Sequence, residues 1–291
     1  MMRLPSRSLQ RCARRSPARA RGVSLIDLLI GIALGLVVVA VAMVGLMTSR
    51  SITGTVSEAS VMQQQAAYAF RVMGQQLRQA GSLELSLSPA IMPGADPNSA
   101  MSPVAFDPPD PAGVRSQFNR STSTLTGSGT TSPSFTVGYQ NYVESVTPAD
   151  APVTAALLRD CLGRNRVTSG VPDAAVLAST FARNADTNEL TCVGTGSETR
   201  RAIIANVTDM RVRYLVQNPG TTSLRYFADP ANVAAWNNVY ALEVCLELSG
   251  TEAIAAPDAQ YTNCAGANAS YGDRLRMVFR TVYQIRSQGQ L

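Results

Sequence analysis

The chain has 291 residues, 45% of them hydrophobic, with 25 basic and 20 acidic residues and no histidine. That length supports one sizeable core or two small ones. The missing histidine excludes Ser-His and Cys-His nucleophile arrangements, no phosphate-loop or dinucleotide-binding glycine motif occurs, and the chain reads as non-enzymatic and free of cofactors.

The formal charge of +5 is unevenly placed. Arg3, Arg7, Arg11, Arg14, Arg15, Arg19 and Arg21 precede Val23 with no acid among them, so residues beyond 22 keep 18 arginines against all 20 acids, formally −2. The basicity belongs to an N-terminal leader, where it fits the positive-inside rule and a cytoplasmic N-terminus. Nucleic-acid binding by the remainder is therefore not expected.

From Leu28 to Met47 run twenty uncharged residues rich in Leu, Val, Ile, Ala and Gly, about the length that crosses a bilayer as a helix. The run exceeds the apolar part of a cleaved secretory signal, and no small-residue cleavage site follows it closely. A plain anchor leaves Asp27 unexplained. A carboxylate costs about 2.5–3.5 kcal/mol at the centre of a membrane helix, and less near an end.

The text "GVSLIDLLIGIALGL", Gly22 followed by Val23, Ser24, Leu25, Ile26 and Asp27 and then the apolar helix, resembles the signal of type IV pilins and type II secretion pseudopilins. The resemblance implies cleavage between Gly22 and Val23 by a prepilin peptidase and N-methylation of Val23. It gives Asp27, where the family uses Glu, the role of pairing with a free α-amine during assembly. Val23 in place of the usual Phe and the 22-residue leader are further departures from the family pattern.

No proline occurs from Val23 to Leu87. Past the membrane run, Ala59, Met62, Ala66, Phe70, Met73, Leu77 and Ala80 recur at helical spacing, with Gln63, Gln64, Arg71, Gln75, Gln76, Arg78 and Gln79 on the other faces. One helix over about 23–81 is predicted, roughly 85 Å long, with its membrane part at about 23–47 and Gly81 as its stop. Residues 82–133 read as a variable loop region, with seven prolines between Pro89 and Pro111. Its Asp96, Asp107 and Asp110 lack the regular spacing of a calcium loop and read as solvated turn acids.

Of five cysteines, Cys12 lies in the leader, and Cys161, Cys192, Cys245 and Cys264 remain. An even count suits disulfides in an oxidising compartment. Three pairings are open, with free buried thiols as the alternative; proximity in sequence favours Cys161 with Cys192 and Cys245 with Cys264. Their spacing does not match a metal site. Asp160, beside Cys161, and Asp209 read as ordinary surface acids.

Four segments alternate with period two: residues 134–143, 206–216, 239–248 and 273–286. In the last, Leu275, Met277, Phe279, Thr281, Tyr283 and Ile285 oppose Arg274, Arg276, Arg280 and Arg286. An antiparallel sheet with one face on the long helix is predicted, with Glu243 and Glu247 available to Arg276 and Arg280 as cross-strand pairs of small individual worth. Trp236 reads as a core aromatic.

The helix ending "MQQQAAYAFRVMGQQLRQAG", the "DCLG" and later "LTC", and the strands "NVTDMRVRYLV", "WNNVYALEVCLEL" and "DRLRMVFRTVYQIRS" resemble the PilW minor pilins. The resemblance implies an α+β, type IV pilin-like fold: a long N-terminal α-helix packed on an antiparallel β-sheet domain, residues 134–291. It implies a minor pilin that helps prime pilus assembly at or near the tip and supports twitching motility and adhesion. Implied partners are other minor pilins, the major pilin, the prepilin peptidase, the inner-membrane assembly platform and a tip adhesin. The implied location is the inner membrane, single-pass with a periplasmic C-terminal domain, and after assembly the pilus at the cell surface. The alternatives are a type II secretion pseudopilin (GspJ-like) and a DNA-uptake pilin, the latter favoured if the final strand exposes a basic stripe.

Overall fold

The computed structural model describes residues 22, 24–83, 118–145, 154–168, 171–197, 199–218, 220–221, 223–254 and 259–285. The leader arginines, Cys12, Val23, Arg286 and the proline-rich stretch with Asp96, Asp107 and Asp110 lie outside them. Two compact units divide the chain, residues 1–52 and 53–291, and helix α1 (Leu25–Gln79) contributes to both. In the first unit, Leu25–Met47 is a single helical stretch, 23 residues long and exposed throughout, long and apolar enough to cross a membrane.

In the second unit the chain is α+β. The buried stripe of α1 is Met62, Ala66, Ala69, Met73, Leu77 and Ala80, one side chain every three or four residues. Ala69, fully buried, takes the central place expected of Phe70, which packs only partly buried against the core. The smaller side chain lets the sheets approach the helix axis closely. Gln76, expected on a solvated face, is buried because its amide is satisfied: Oε1 accepts from the Tyr139 and Ser179 hydroxyls at 3.1 and 2.9 Å, and Nε2 donates to the Arg159 carbonyl at 3.3 Å. The helix ends at Gly81, whose φ of +68° suits glycine; its N–H donates to the Gly138 carbonyl at 2.9 Å.

The main strands are β1 (Leu125–Ser128), β2 (Ser134–Gln140), β3 (Val176–Asn184), β4 (Glu189–Gly194), β5 (Arg201–Ile204), β6 (Val207–Gln217), β7 (Leu224–Phe227), β8 (Val239–Ala253), β9 (Gln260–Thr262), β10 (Asn268–Ser270) and β11 (Arg274–Gln284). They form two larger sheets where the alternating segments suggested one. β1 to β5 follow one another as an antiparallel meander, and β7-β6-β8-β11 form a second antiparallel sheet. The alternating segment at 134–143 therefore supplies β2 of the first sheet, and β1 begins within the stretch read as loop.

One core joins the α1 stripe to the inner faces of both sheets, including Leu125, Phe135, Phe181 and Leu190 from the first and Met210, Tyr214, Leu242 and Leu246 from the second. Each fully buried Leu, Met or Phe contributes about 1.5–3 kcal/mol. Phe135 and Phe181, directly opposed in register, stack with centroids 5.2 Å apart. Partly buried Trp236 meets Tyr214 edge-on at 5.0 Å, and Gly127 is required beside them because a Cβ there would collide with the Tyr214 hydroxyl.

A polar clamp ties α1 to β8. Glu58, the one acid between Leu28 and Gln79, accepts at Oε1 from the Thr251 N–H (2.6 Å), the Thr251 hydroxyl (2.7 Å) and the Glu252 N–H (2.7 Å). Partial burial opposes its charge, yet these hydrogen bonds, with Arg274 nearby, outweigh it and hold the carboxyl below its ordinary range. Glu58→Gln should destabilise the protein by about 1–3 kcal/mol. Because the folded-state pKa is depressed, the carboxylate's contribution is fully present above its ordinary value of 4.5 and is lost as pH falls through the lower folded value. Thermal unfolding of parent and variant should therefore converge on acidification, and a gap that stayed constant would contradict the clamp.

Candidate functional site

The segment expected to be processed leads into α1. Gly22 is exposed, Val23 lies outside the described residues, and Ser24 precedes the first helical turn. The Ser24 hydroxyl accepts from the Ile26 N–H at 3.4 Å, and Asp27 Oδ2 accepts from the Ser24 N–H at 3.2 Å. This is a reciprocal capping arrangement, in which serine and an acid three residues later satisfy helix-terminal N–H groups. In the single chain, then, the Asp27 carboxylate already has a local partner. A carboxylate in the first turn is also stabilised by the helix dipole.

In the second unit two disulfides hold surface elements to the sheets. Cys161 is bonded to Cys192 with Cα atoms 6.5 Å apart, and Cys245 to Cys264 at 5.8 Å. The first fixes the "DCLG" loop to β4. Asp160, expected at the surface, is 2% exposed. Its burial is tolerated because Oδ1 accepts from the Leu162 and Arg164 N–H groups, both at 2.9 Å, while Oδ2 meets the Arg164 guanidinium at 3.2 Å. The loop is closed from within by this acid, and the Cys161 N–H donates to Ser179 on β3 at 2.9 Å. Asp209 lies in β6 and pairs with Arg211 at 2.9 Å.

The second disulfide straps the β9–β10 hairpin to the outer face of the second sheet. There Glu243 and Glu247 have side chains only 8% and 7% exposed. Arg213, directly opposite Glu243, grips it with Nε and Nη2 at 2.7–2.9 Å, and Arg280 stands 3.7 Å away. Glu247 accepts from the Arg276 guanidinium (3.1 Å), the Thr208 hydroxyl (3.0 Å) and the Tyr261 hydroxyl of the hairpin (2.7 Å). Desolvation, and then the hydrogen bond to Glu247, push the Tyr261 phenol up to about 12. Arg213 is also raised, chiefly by its hydrogen bond to Glu243, and lies over the Tyr226 ring. The expected cross-strand pairs thus exist, but as a half-buried network under a strap. Neither the alternation of β8 nor that of β11 could announce it, because the covering hairpin has little periodicity of its own.

Among the described residues no cluster of three or more Cys, Asp or Glu side chains is suited to a metal ion.

An apolar N-terminal helix that continues as an amphipathic one, with its second half packed on antiparallel sheets, is the architecture expected of a type IV pilin. Residues 179–287, from within β3 to just beyond β11, match the family model PilW, described as type IV pilus-assembly protein W. Among solved structures the chain is similar to a type IV-like pilin from Thermus thermophilus, with 13% identity, a TM-score of 0.35, and coverage of 57% of this chain and 85% of that one. No curated protein matches. The family match spans less than half of the chain and covers the second sheet with part of the first.

Replacing either disulfide by a serine pair should cost about 3–4 kcal/mol in the chain-entropy account, given sequence separations of 31 for Cys161–Cys192 and 19 for Cys245–Cys264. Denaturant unfolding under oxidising conditions measures this; unchanged midpoints would show that the bonds constrain nothing.

Proposed function

We propose that this protein is a minor pilin of a type IV pilus. The match of residues 179–287 to a pilus-assembly family is the observation that carries the reading. A prepilin peptidase cuts after Gly22, Val23 is N-methylated, and the mature subunit waits in the inner membrane with its β domain in the periplasm. It then joins other minor pilins in a complex that primes polymerisation of the major pilin on the assembly platform. In the pilus it sits at or near the tip, where it supports twitching motility and adhesion, in concert with a tip adhesin. Its role is structural rather than catalytic.

The division of the chain suits these tasks. The apolar helix serves lipid first and filament afterwards, and Gly31, Gly35 and Gly45 leave its surface open to close helix approach. Asp27 exchanges its local capping contact for a neighbour's α-amine on assembly. The β domain, made rigid by two disulfides, presents the surface that selects lateral partners.

A DNA-uptake role is not favoured. Arg276 and Arg280 of the final strand are paired with Glu247 and Glu243, and Arg280 and Arg274 also donate to the Cys264 and Thr251 carbonyls. Among the described residues, the basic stripe is spent within the domain.

Deleting the gene should leave few surface pili, and deleting the retraction ATPase as well should restore them. Normal piliation with an exoprotein held in the periplasm would instead indicate a secretion pseudopilin. Asp27→Ala should still be cleaved after Gly22 but fail to restore piliation to the deletion strain; full complementation would remove the pairing role.

A further inference from the structure

Residues 68–79 of α1 turn a second face away from the buried stripe, and with residues 157–163 it lines a cleft of about 730 Å³. Arg71 and Arg78, seven residues apart and so on one helical face, belong to one wall, and Arg159 to the other. Arg159 donates to the Gly163 carbonyl at 3.1 Å. Among the described residues none of the three is in an ion pair. The acid of the cleft, Asp160, is already engaged by Arg164 and two backbone N–H groups. Among the described residues, the lining therefore offers three guanidinium groups with no uncommitted acid beside them.

Two apolar side chains stand with the arginines, Tyr68 at 55% and Leu157 at 56% exposure. In the same lining, Gln79 Oε1 is buried and accepts no hydrogen bond among the described residues.

We propose that this cleft is a docking site for an acidic, extended polypeptide segment of another pilus subunit. The proposal rests on the minor-pilin reading and names the chemistry of a lateral partner. Guanidinium groups bind carboxylates through paired N–H donors, which fixes direction as well as charge. The exposed Tyr68 and Leu157 give the partner's side chains apolar surface to bury. The exposed aliphatic Leu157 favours a peptide over a nucleic-acid strand, since it gives apolar side chains a surface to bury against but gives bases no ring to stack on.

The test uses the full chain in its own cell, with a photo-reactive benzophenone amino acid at position 75, an exposed position in the cleft lining. Irradiation should give an adduct whose partner peptide, identified by mass spectrometry, is an Asp- or Glu-rich segment of another pilin-type subunit. Arg71→Glu with Arg78→Glu should lower adduct yield about tenfold or more, whereas Arg71→Lys with Arg78→Lys should retain most of it. Chain level and both disulfides should be unchanged in the two variants, since both arginines are exposed. An adduct indifferent to charge reversal, an adduct with nucleic acid, one confined to the same chain, or no adduct would each overturn the proposal. A deletion strain with normal pili would sink the minor-pilin reading itself. A pilus-less deletion strain fully complemented by the charge-reversed variant, with its adduct intact, would sink the cleft alone.

Discussion

The second unit depends on one narrow stripe of α1, Met62 to Ala80, that has to be covered on both flanks. A helix of this kind cannot stand alone in water with that stripe bare, and its alanines at 66 and 69 set how closely strands can approach. Two sheets share the task, each lending its inner face to one core. The paired aromatics Phe135–Phe181 and Tyr214–Trp236 add their bulk to that core. Gln76 is the polar exception, held because Tyr139, Ser179 and the Arg159 carbonyl satisfy its amide within that core.

With the inner faces committed, the outer faces carry the chemistry. On the second sheet, Glu243 and Glu247 are taken from water by the β9–β10 strap and need Arg213, Arg276 and Arg280 to remain charged there. Removing one partner would strand a buried charge, so the network favours one register of β6, β8 and β11 over slipped alternatives. On the first sheet, the loop at Asp160 is closed by its own acid and bonded to β4 through Cys161–Cys192. Both outer elements are thus fixed by covalent and charge-assisted contacts.

Much of this was legible before the structure. The extent of α1, its stop at Gly81 and the strands at 206–216, 239–248 and 273–286 follow from period and glycine placement, because each element buries one face only. The first sheet was harder to see. β3 and β4 are bounded by polar turns, and β1 hides inside a Ser/Thr/Gly-rich stretch that composition alone assigns to loop. The burial of Asp160 depends on three donors brought together by a turn, which spacing does not encode. Glu58 left one signal, as the sole acid along 52 residues of helix between Leu28 and Gln79, but its partners Thr251 and Glu252 are nearly two hundred residues away in the chain. The capping contact between Ser24 and Asp27 is local and readable from the spacing of a serine three residues before an acid.

The Asp27 carboxylate caps its own helix in the single chain, and the proposed function gives it a neighbour's amine in the filament. The central claim is that the chain is processed as a prepilin and built into a pilus. The most direct test is mass spectrometry of the N-terminal peptide of this protein in sheared, purified pili. The account predicts a mature chain that starts at N-methylated Val23, present at a small fraction of the major pilin. Finding the protein only in the inner membrane with residues 1–22 still attached would contradict it.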